Sequence, residues 1–212
     1  MTPLTEVVLA TRNEGKRAEL EALLALTLGT DGGDAAVRVR SAAELGLPDV
    51  VEDGVTFEEN ALLKARSAAR ITGLPAMADD SGLAVEVLGG APGIFSARWS
   101  GTHGDDAANN ALLLAQLADV PDAHRGAAFV CAAAYVHPDG TEIVCHGRFR
   151  GRLLRAPRGE NGFGYDPLFL PDGEERTAAE LAPEEKNRIS HRALAFRALA
   201  DRLRTSGAAD GR

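Results

Sequence analysis

The chain has 212 residues, 45% of them hydrophobic, a formal charge of −8 at pH 7 and two cysteines. That size and apolar content suit one domain with a buried core, while the acidic balance argues against general affinity for a nucleic-acid backbone. No apolar run reaches the roughly eighteen residues of a membrane span, and Met1-Thr2-Pro3 leads into a strand-like segment, not a signal peptide, so a cytoplasmic protein is expected.

Glu6 to Ala10 is a short apolar run that ends at the polar turn Thr11-Arg12-Asn13-Glu14-Gly15-Lys16, after which Leu20, Leu23 and Leu24 recur at helical spacing. In such a strand–turn–helix unit the free N–H groups of the helix start face the turn and favour phosphate, with Lys16 adding a point charge. The spacing is not that of a Walker loop, because Ala10 and Arg17 occupy the first-glycine and hydroxyl positions. An ordinary βα connection with a surface lysine is the competing interpretation.

Gly29 to Ala36 is a flexible insertion, and Val37-Arg38-Val39 resumes as a strand. The acidic turn Pro48 to Gly54 contains Glu52, either a solvated turn acid or a ligand. Thr56-Phe57-Glu58-Glu59 is a capping box that predicts a helix from Phe57. Ala61, Leu62, Ala65, Ala68 and Ala69 form its buried stripe, and Asn60 and Lys64, four residues apart, share another face suited to a cleft. Ala76-Met77-Ala78 predicts a strand that carries Asp79-Asp80 to its exposed end, where a hard cation could sit, with glycines following at Gly82, Gly89, Gly90 and Gly93. A solvated Asx-turn and a Gly/Pro loop fit the same residues.

Asp105-Asp106 predicts a helix through Ala108, Leu112, Leu113 and Leu117 with a structural role. Phe129 to Val136, His137-Pro138-Asp139-Gly140 and Glu142 to His146 read as a β-hairpin, and a two-residue Pro138-Asp139 loop sets Cys131 opposite His146. Cys131 and Cys145 are expected as buried free thiols, and His146 as a satisfied strand histidine. In Gly159 to Phe169 aromatics alternate with glycines, which suits either a base-stacking platform with Asp166 as acceptor or a turn into a strand with core aromatics. Lys186, His191 and Arg192 gather at the start of an amphipathic helix continued by Leu194, Phe196, Leu199 and Leu203, an unfavourable place for cations unless something anionic or oxygen-rich binds. Residues 205–212 are expected to form a flexible tail after a domain of residues 1–204.

Several motifs in fixed order resemble the Ham1/inosine triphosphate pyrophosphatase family. They are Thr11-x-Asn13-x-x-Lys16, Thr56-Phe57-x-Glu59-Asn60-Ala61-x-x-Lys64-Ala65, Ala78-Asp79-Asp80-Ser81-Gly82-Leu83, Gly89-Gly90-Ala91-Pro92-Gly93-x-x-Ser96-Ala97-Arg98, Phe163-Gly164-Tyr165-Asp166-Pro167 and Ser190-His191-Arg192. Phe95 and Trp99 replace tyrosines, and Ala193 a glycine, of the family pattern. The resemblance implies an α/β fold: an elongated two-lobed single domain with a long central mixed β-sheet flanked by helices, the nucleotide lying between the lobes, in a homodimer. It implies hydrolysis of non-canonical purine nucleoside triphosphates (dITP, ITP, XTP) to monophosphate and pyrophosphate with Mg2+, and no nucleic-acid or membrane partner. By the same resemblance Asp80 is the general base, and Glu52 and Asp80 hold the metal. Thr11, Arg12, Asn13, Glu14, Gly15, Lys16, Lys64 and Ser81 then contact the phosphate side, while Phe163, Gly164, Tyr165, Asp166, Lys186, His191 and Arg192 form the base side.

Overall fold

The computed structural model describes residues 5–11, 20, 23 and 37–209, with residues 206–209 described by backbone alone. The turn residues Arg12, Asn13, Glu14, Gly15 and Lys16, together with Leu24, the 29–36 insertion and residues 210–212, lie outside the described residues. Ten named elements follow in order: β1 (Glu6–Leu9), β2 (Arg38–Ser41), α1 (Phe57–Thr72), β3 (Ala76–Val85), α2 (Asp106–Gln116), β4 (Gly126–Val136), β5 (Glu142–Leu153), β6 (Phe169–Pro171), α3 (Pro183–Ile189) and α4 (His191–Ala209). The strands form one mixed six-stranded sheet in the order β2-β1-β3-β4-β5-β6. β1 runs parallel to β2 and β3, and β6 antiparallel to β5.

Chain contacts divide the protein into two compact units, one holding the described residues up to Asp80 with 131–147 and those from Arg192 onward, the other holding 81–130 and 148–191. Within the first unit, side-chain alternation sorts the strands into two apolar layers. Val7, Leu9, Met77, Cys131, Ala133 and Tyr135 pack with Leu20, Leu23 and with Phe196, Leu199 and Leu203 of α4. Val8, Ala76, Ala78, Ala132 and Ala134 pack with Ala61, Leu62, Ala65, Ala68 and Ala69 of α1. Both faces of β1, β3 and β4 are therefore buried here, which explains their near-continuous apolar runs. Small residues on both sides of the α1 contact let helix and sheet approach closely. The second unit has its own core of Leu83, Val85, Leu113, Leu117, Phe129, Phe149, Leu153, Leu168 and Phe169.

Helix α1 begins where its capping sequence predicts, at Phe57, with the Thr56 hydroxyl accepting from Glu59 N at 3.1 Å. Glu59 reaches back one residue further than a capping box requires, accepting from Val55 N at 2.6 Å. The helix stops at Gly73, whose φ of 69° is left-handed.

Three expectations change. Asp79 and Asp80 do not lie at the exposed end of a short strand, because β3 continues for ten residues to Val85 and buries them at 2% and 8% exposure. Beyond the acids the strand keeps an extended path alongside the 3-10 turn Gly93–Arg98: Ser96 Oγ accepts from Leu83 N at 2.9 Å and donates to Gly93 O at 2.6 Å. A Cβ at position 82 would collide with that serine and with Gly93 O, so close approach here requires glycine. The β4–β5 connection has His137 N donating to Thr141 O and a left-handed Gly140, a loop one residue longer than the Cys131–His146 register assumed. The basic segment is divided, with α3 ending before Ser190 at φ −65°, ψ 160° and α4 starting at His191, so Lys186 sits near the end of one helix and His191 and Arg192 at the start of the next. Cys131 and Cys145 are buried thiols outside any disulfide, and burial raises the Cys145 thiol. Exposed His146 lies 3.4 Å from Glu58. Among the described residues no helix is long and apolar enough to cross a membrane.

Candidate active site

Opposite parity on β3 sends the two adjacent acids to different sides. Asp80 has the parity of Ala76 and Ala78 and meets α1; Asp79 has that of Met77 and meets α4. On the α1 side, Asn60 Nδ2 donates to Asp80 Oδ2 at 3.2 Å, and Lys64 Nζ lies 3.5 Å from Asp80 Oδ1. The same ammonium is 3.3 Å from Glu52 Oε1, contributed by the acidic turn before the helix. Asn60 also accepts from Gly54 N at 2.9 Å, so one buried amide fixes both the Asp80 carboxylate and the turn that carries Glu52. A Cβ on Gly54 would press on that amide and on Glu59.

Burial by itself lowers the Lys64 pKa, but the fields of Asp80, Asp79 and Glu52 outweigh it and raise the group above its ordinary value. Lys64 is therefore a cation at neutral pH, and two carboxylates already converge on one positive charge. Among the described residues no cluster of three or more His, Cys, Asp or Glu side chains surrounds a cation position. A pair of hard carboxylates still fits Mg2+, which takes one or two acids from protein and completes its octahedron with water and phosphate oxygen.

On the α4 side, Arg192 Nε donates to Asp79 Oδ2 at 3.3 Å, with both side chains almost wholly buried. Removing one partner of such a pair strands the other charge in the interior, a cost of about 3–5 kcal/mol. Asp79, without a role from the sequence, is thus the anchor of Arg192. Thr11 is buried just past the end of β1. The parallel pairing of Leu9 with Met77 brings it level with Asp79, at the carboxyl end of parallel strands where ligands of open α/β sheets bind.

The second unit holds the base-side residues Phe163, Gly164, Tyr165, Asp166, Lys186 and His191, while Arg192 belongs to the first. Phe163 is 36% exposed, and Lys186 Nζ lies 5.1 Å from its ring centroid. Asp166 Oδ2 accepts from Lys186 Nζ at 2.6 Å and from Phe163 N at 2.9 Å, joining the aromatic to the lysine. Gly162, with φ 76°, leaves the space that this carboxylate fills. Tyr165 is no part of an exposed platform: it is buried, its hydroxyl donates to Ser96 O at 2.9 Å, and burial raises its pKa. His191 is buried and stacks on Phe129 at 5.0 Å and 15°. Ser81 follows Asp80 directly on β3, half-buried.

The geometry brings Glu52, Lys64 and Asp80 together, ties Arg192 to Asp79, and gathers Phe163, Asp166 and Lys186. Two supporting residues carried no assigned role in the sequence. The i, i+4 spacing of Asn60 and Lys64 pointed to a shared face, but not to Asn60 bridging the two acids. The Asp79–Arg192 pair spans 113 positions, and no local pattern announces it.

Comparison with known proteins follows the same lines. The model of the Ham1 family matches residues 7–202. A dITP/XTP pyrophosphatase of Streptomyces avermitilis is 63% identical over 196 residues, covering 92% of this chain and 96% of the relative. One of Mycobacterium bovis is 53% identical over 207 residues, covering 97% and 98%. Among solved structures, a HAM1 protein from Coxiella burnetii superposes with a TM-score of 0.83 at 44% identity, over 94% of this chain and 98% of that one. The dITP/XTP pyrophosphatase of Mycobacterium abscessus gives 0.73 at 53% identity, over 93% and 98%.

Proposed function

The chain belongs to the Ham1 family, and from that premise we propose that it hydrolyses non-canonical purine nucleoside triphosphates, dITP/ITP and dXTP/XTP, to the monophosphate and pyrophosphate, removing them before a polymerase incorporates them. The observation that carries the proposal is the buried Asp80 carboxylate, held by Asn60 at 3.2 Å and sharing the Lys64 ammonium with Glu52. A simple binding module has no use for a fixed base beside a paired acid and lysine.

Asp80 takes a proton from water as the water oxygen bonds to the α-phosphorus and the bond to the β-phosphate bridge breaks, releasing pyrophosphate. Mg2+, when bound, is held by Glu52 and Asp80 and neutralises triphosphate charge. Lys64 supplies a further positive charge to the phosphate oxygens, and Asn60 keeps Asp80 from rotating away. Thr11, with the turn Arg12 to Lys16, holds the phosphates through hydroxyl, backbone and ammonium donors, and Ser81 adds a hydroxyl.

At the other end of the substrate, Phe163 stacks on the purine. Asp166 and Lys186 set the edge of that platform, and Gly164 and Tyr165 shape its loop. His191 and Arg192 are donors held by Phe129 and Asp79. The 6-oxo group of hypoxanthine or xanthine accepts from such donors, whereas the amine of adenine leaves them facing another donor, a mismatch able to discriminate by orders of magnitude. The motif resemblance supports a homodimer acting on the cytoplasmic nucleotide pool. Incubation with dITP, XTP, ATP and GTP, with products identified, tests the proposal: dITP and XTP should be preferred and pyrophosphate formed. Preference for ATP, or orthophosphate as product, would overturn it.

A further inference from the structure

Helix α2 has more polar contacts than a structural helix needs. Asp105 caps it by accepting from Ala108 N at 3.0 Å, so the adjacent Asp106 is not required for that task. Asp106 Oδ2 instead accepts from Gly164 N at 2.6 Å. One turn on, Asn110 Nδ2 donates to Gly164 O at 2.9 Å. Residues four apart share a helix face, and here that face grips both polar groups of a single residue whose φ of 63° is left-handed. The other amide atom, Asn110 Oδ1, is buried with no hydrogen-bond partner among the described residues. An unsatisfied buried acceptor is costly, so packing alone favours an apolar side chain at position 110. The amide is explained by the one bond that its nitrogen makes.

Gly164 lies between Phe163 and Tyr165. On one side Phe163 N is fixed to Asp166; on the other the Tyr165 hydroxyl is fixed to Ser96 O. Asn109 of the same helix accepts from Ser100 N at 2.7 Å, securing the segment that follows Ser96. The loop that presents the half-exposed Phe163 ring is thus fastened at three successive residues, the middle one by α2.

We propose that Asp106 and Asn110 are positioning residues that clamp Gly164 and thereby hold Phe163 in place to stack on the purine. The clamp rests on the function proposed above and extends it to residues outside the recognised motifs. It acts on binding of the base, not on chemistry at phosphorus.

The test compares Asp106→Ala, Asp106→Asn and Asn110→Leu with the full-length wild type in dITP hydrolysis, alongside thermal melts and hydrogen exchange at the Gly164 amide. Loss of an aligned stacking ring should raise KM about tenfold in Asp106→Ala and Asn110→Leu, with kcat little changed and faster exchange at Gly164. Asp106→Asn retains an acceptor oxygen and should restore KM. Unchanged KM in both loss variants overturns the clamp, as does a fall in kcat that simply follows the melting temperature. If the wild type itself hydrolyses neither dITP nor XTP, the proposed function fails and the clamp with it; an active wild type beside unaffected variants removes the clamp alone.

Discussion

Because side chains alternate along a strand, Asp79 and Asp80 serve different neighbours despite their adjacency. Asp80 meets Asn60 and Lys64, whereas Asp79 meets Arg192. Asp80 pairs with the lysine that Glu52 also engages, whereas Asp79 reaches that lysine through its field and pairs with Arg192, which separates a reacting carboxylate from a supporting one. Asp80→Asn keeps the size of the site but removes the base and one of the two acceptor oxygens that Asn60 and Lys64 engage. It should lower dITP turnover by about 100-fold or more while binding of dITP remains measurable by calorimetry. Wild-type turnover in that variant would rule out the assigned base. Lys64 gives a pH dependence of definite sign. Its folded pKa is raised, so its stabilising contribution is complete below the unfolded value of about 10.4 and is lost as pH rises through the folded value. The difference in urea midpoint between wild type and Lys64→Met should be constant from neutral pH to the onset of that range and shrink above it. A difference that grows with alkalinity contradicts the ion cluster.

Helix α1 does more than cover the sheet. Its buried alanines seat it against β3 and β4, which fixes the rotation that brings Asn60 and Lys64 to Asp80. The start of that helix was legible in Thr56 and the 3.6-residue spacing of alanine and leucine, and the structure follows both. The full length of β3 was not: Asp, Ser and Gly inside AMADDSGLAV are poor strand formers, and only pairing with neighbouring strands and the Ser96 contact keep them extended. The division between α3 and α4 was equally hidden, since no Gly or Pro marks Ser190. Nor could alternating glycines and aromatics reveal that Phe163 is presented while Tyr165 is buried, because that depends on the distant Ser96 carbonyl. Thr56→Ala should cost about 1 kcal/mol through loss of the cap. A lower melting temperature checks it, and an unchanged one would mean that Glu59 and Val55 suffice to hold the helix start.

For the whole molecule, a net charge of −8 has to be reconciled with a substrate carrying several negative charges. The described cations of the site are each paired with acids, Lys64 with Glu52 and Asp80, Lys186 with Asp166 and Arg192 with Asp79, so the proposed Mg2+ and the proposed phosphate-binding turn Arg12 to Lys16 have to supply the net positive charge. The order of motifs along the chain made the family recognisable from sequence, and the Ham1 match over residues 7–202 agrees. What the motifs could not disclose was the supporting role of Asn60 and Asp79 within them and of Asp106 and Asn110 outside them, because all four act through partners distant in sequence. The central claim, that water attacks the α-phosphorus of a non-canonical purine triphosphate, is most directly tested by hydrolysing dITP in oxygen-18 water and locating the label by mass spectrometry. Label in deoxyinosine monophosphate, with unlabelled pyrophosphate, is the expected result; label in pyrophosphate or orthophosphate would contradict the account.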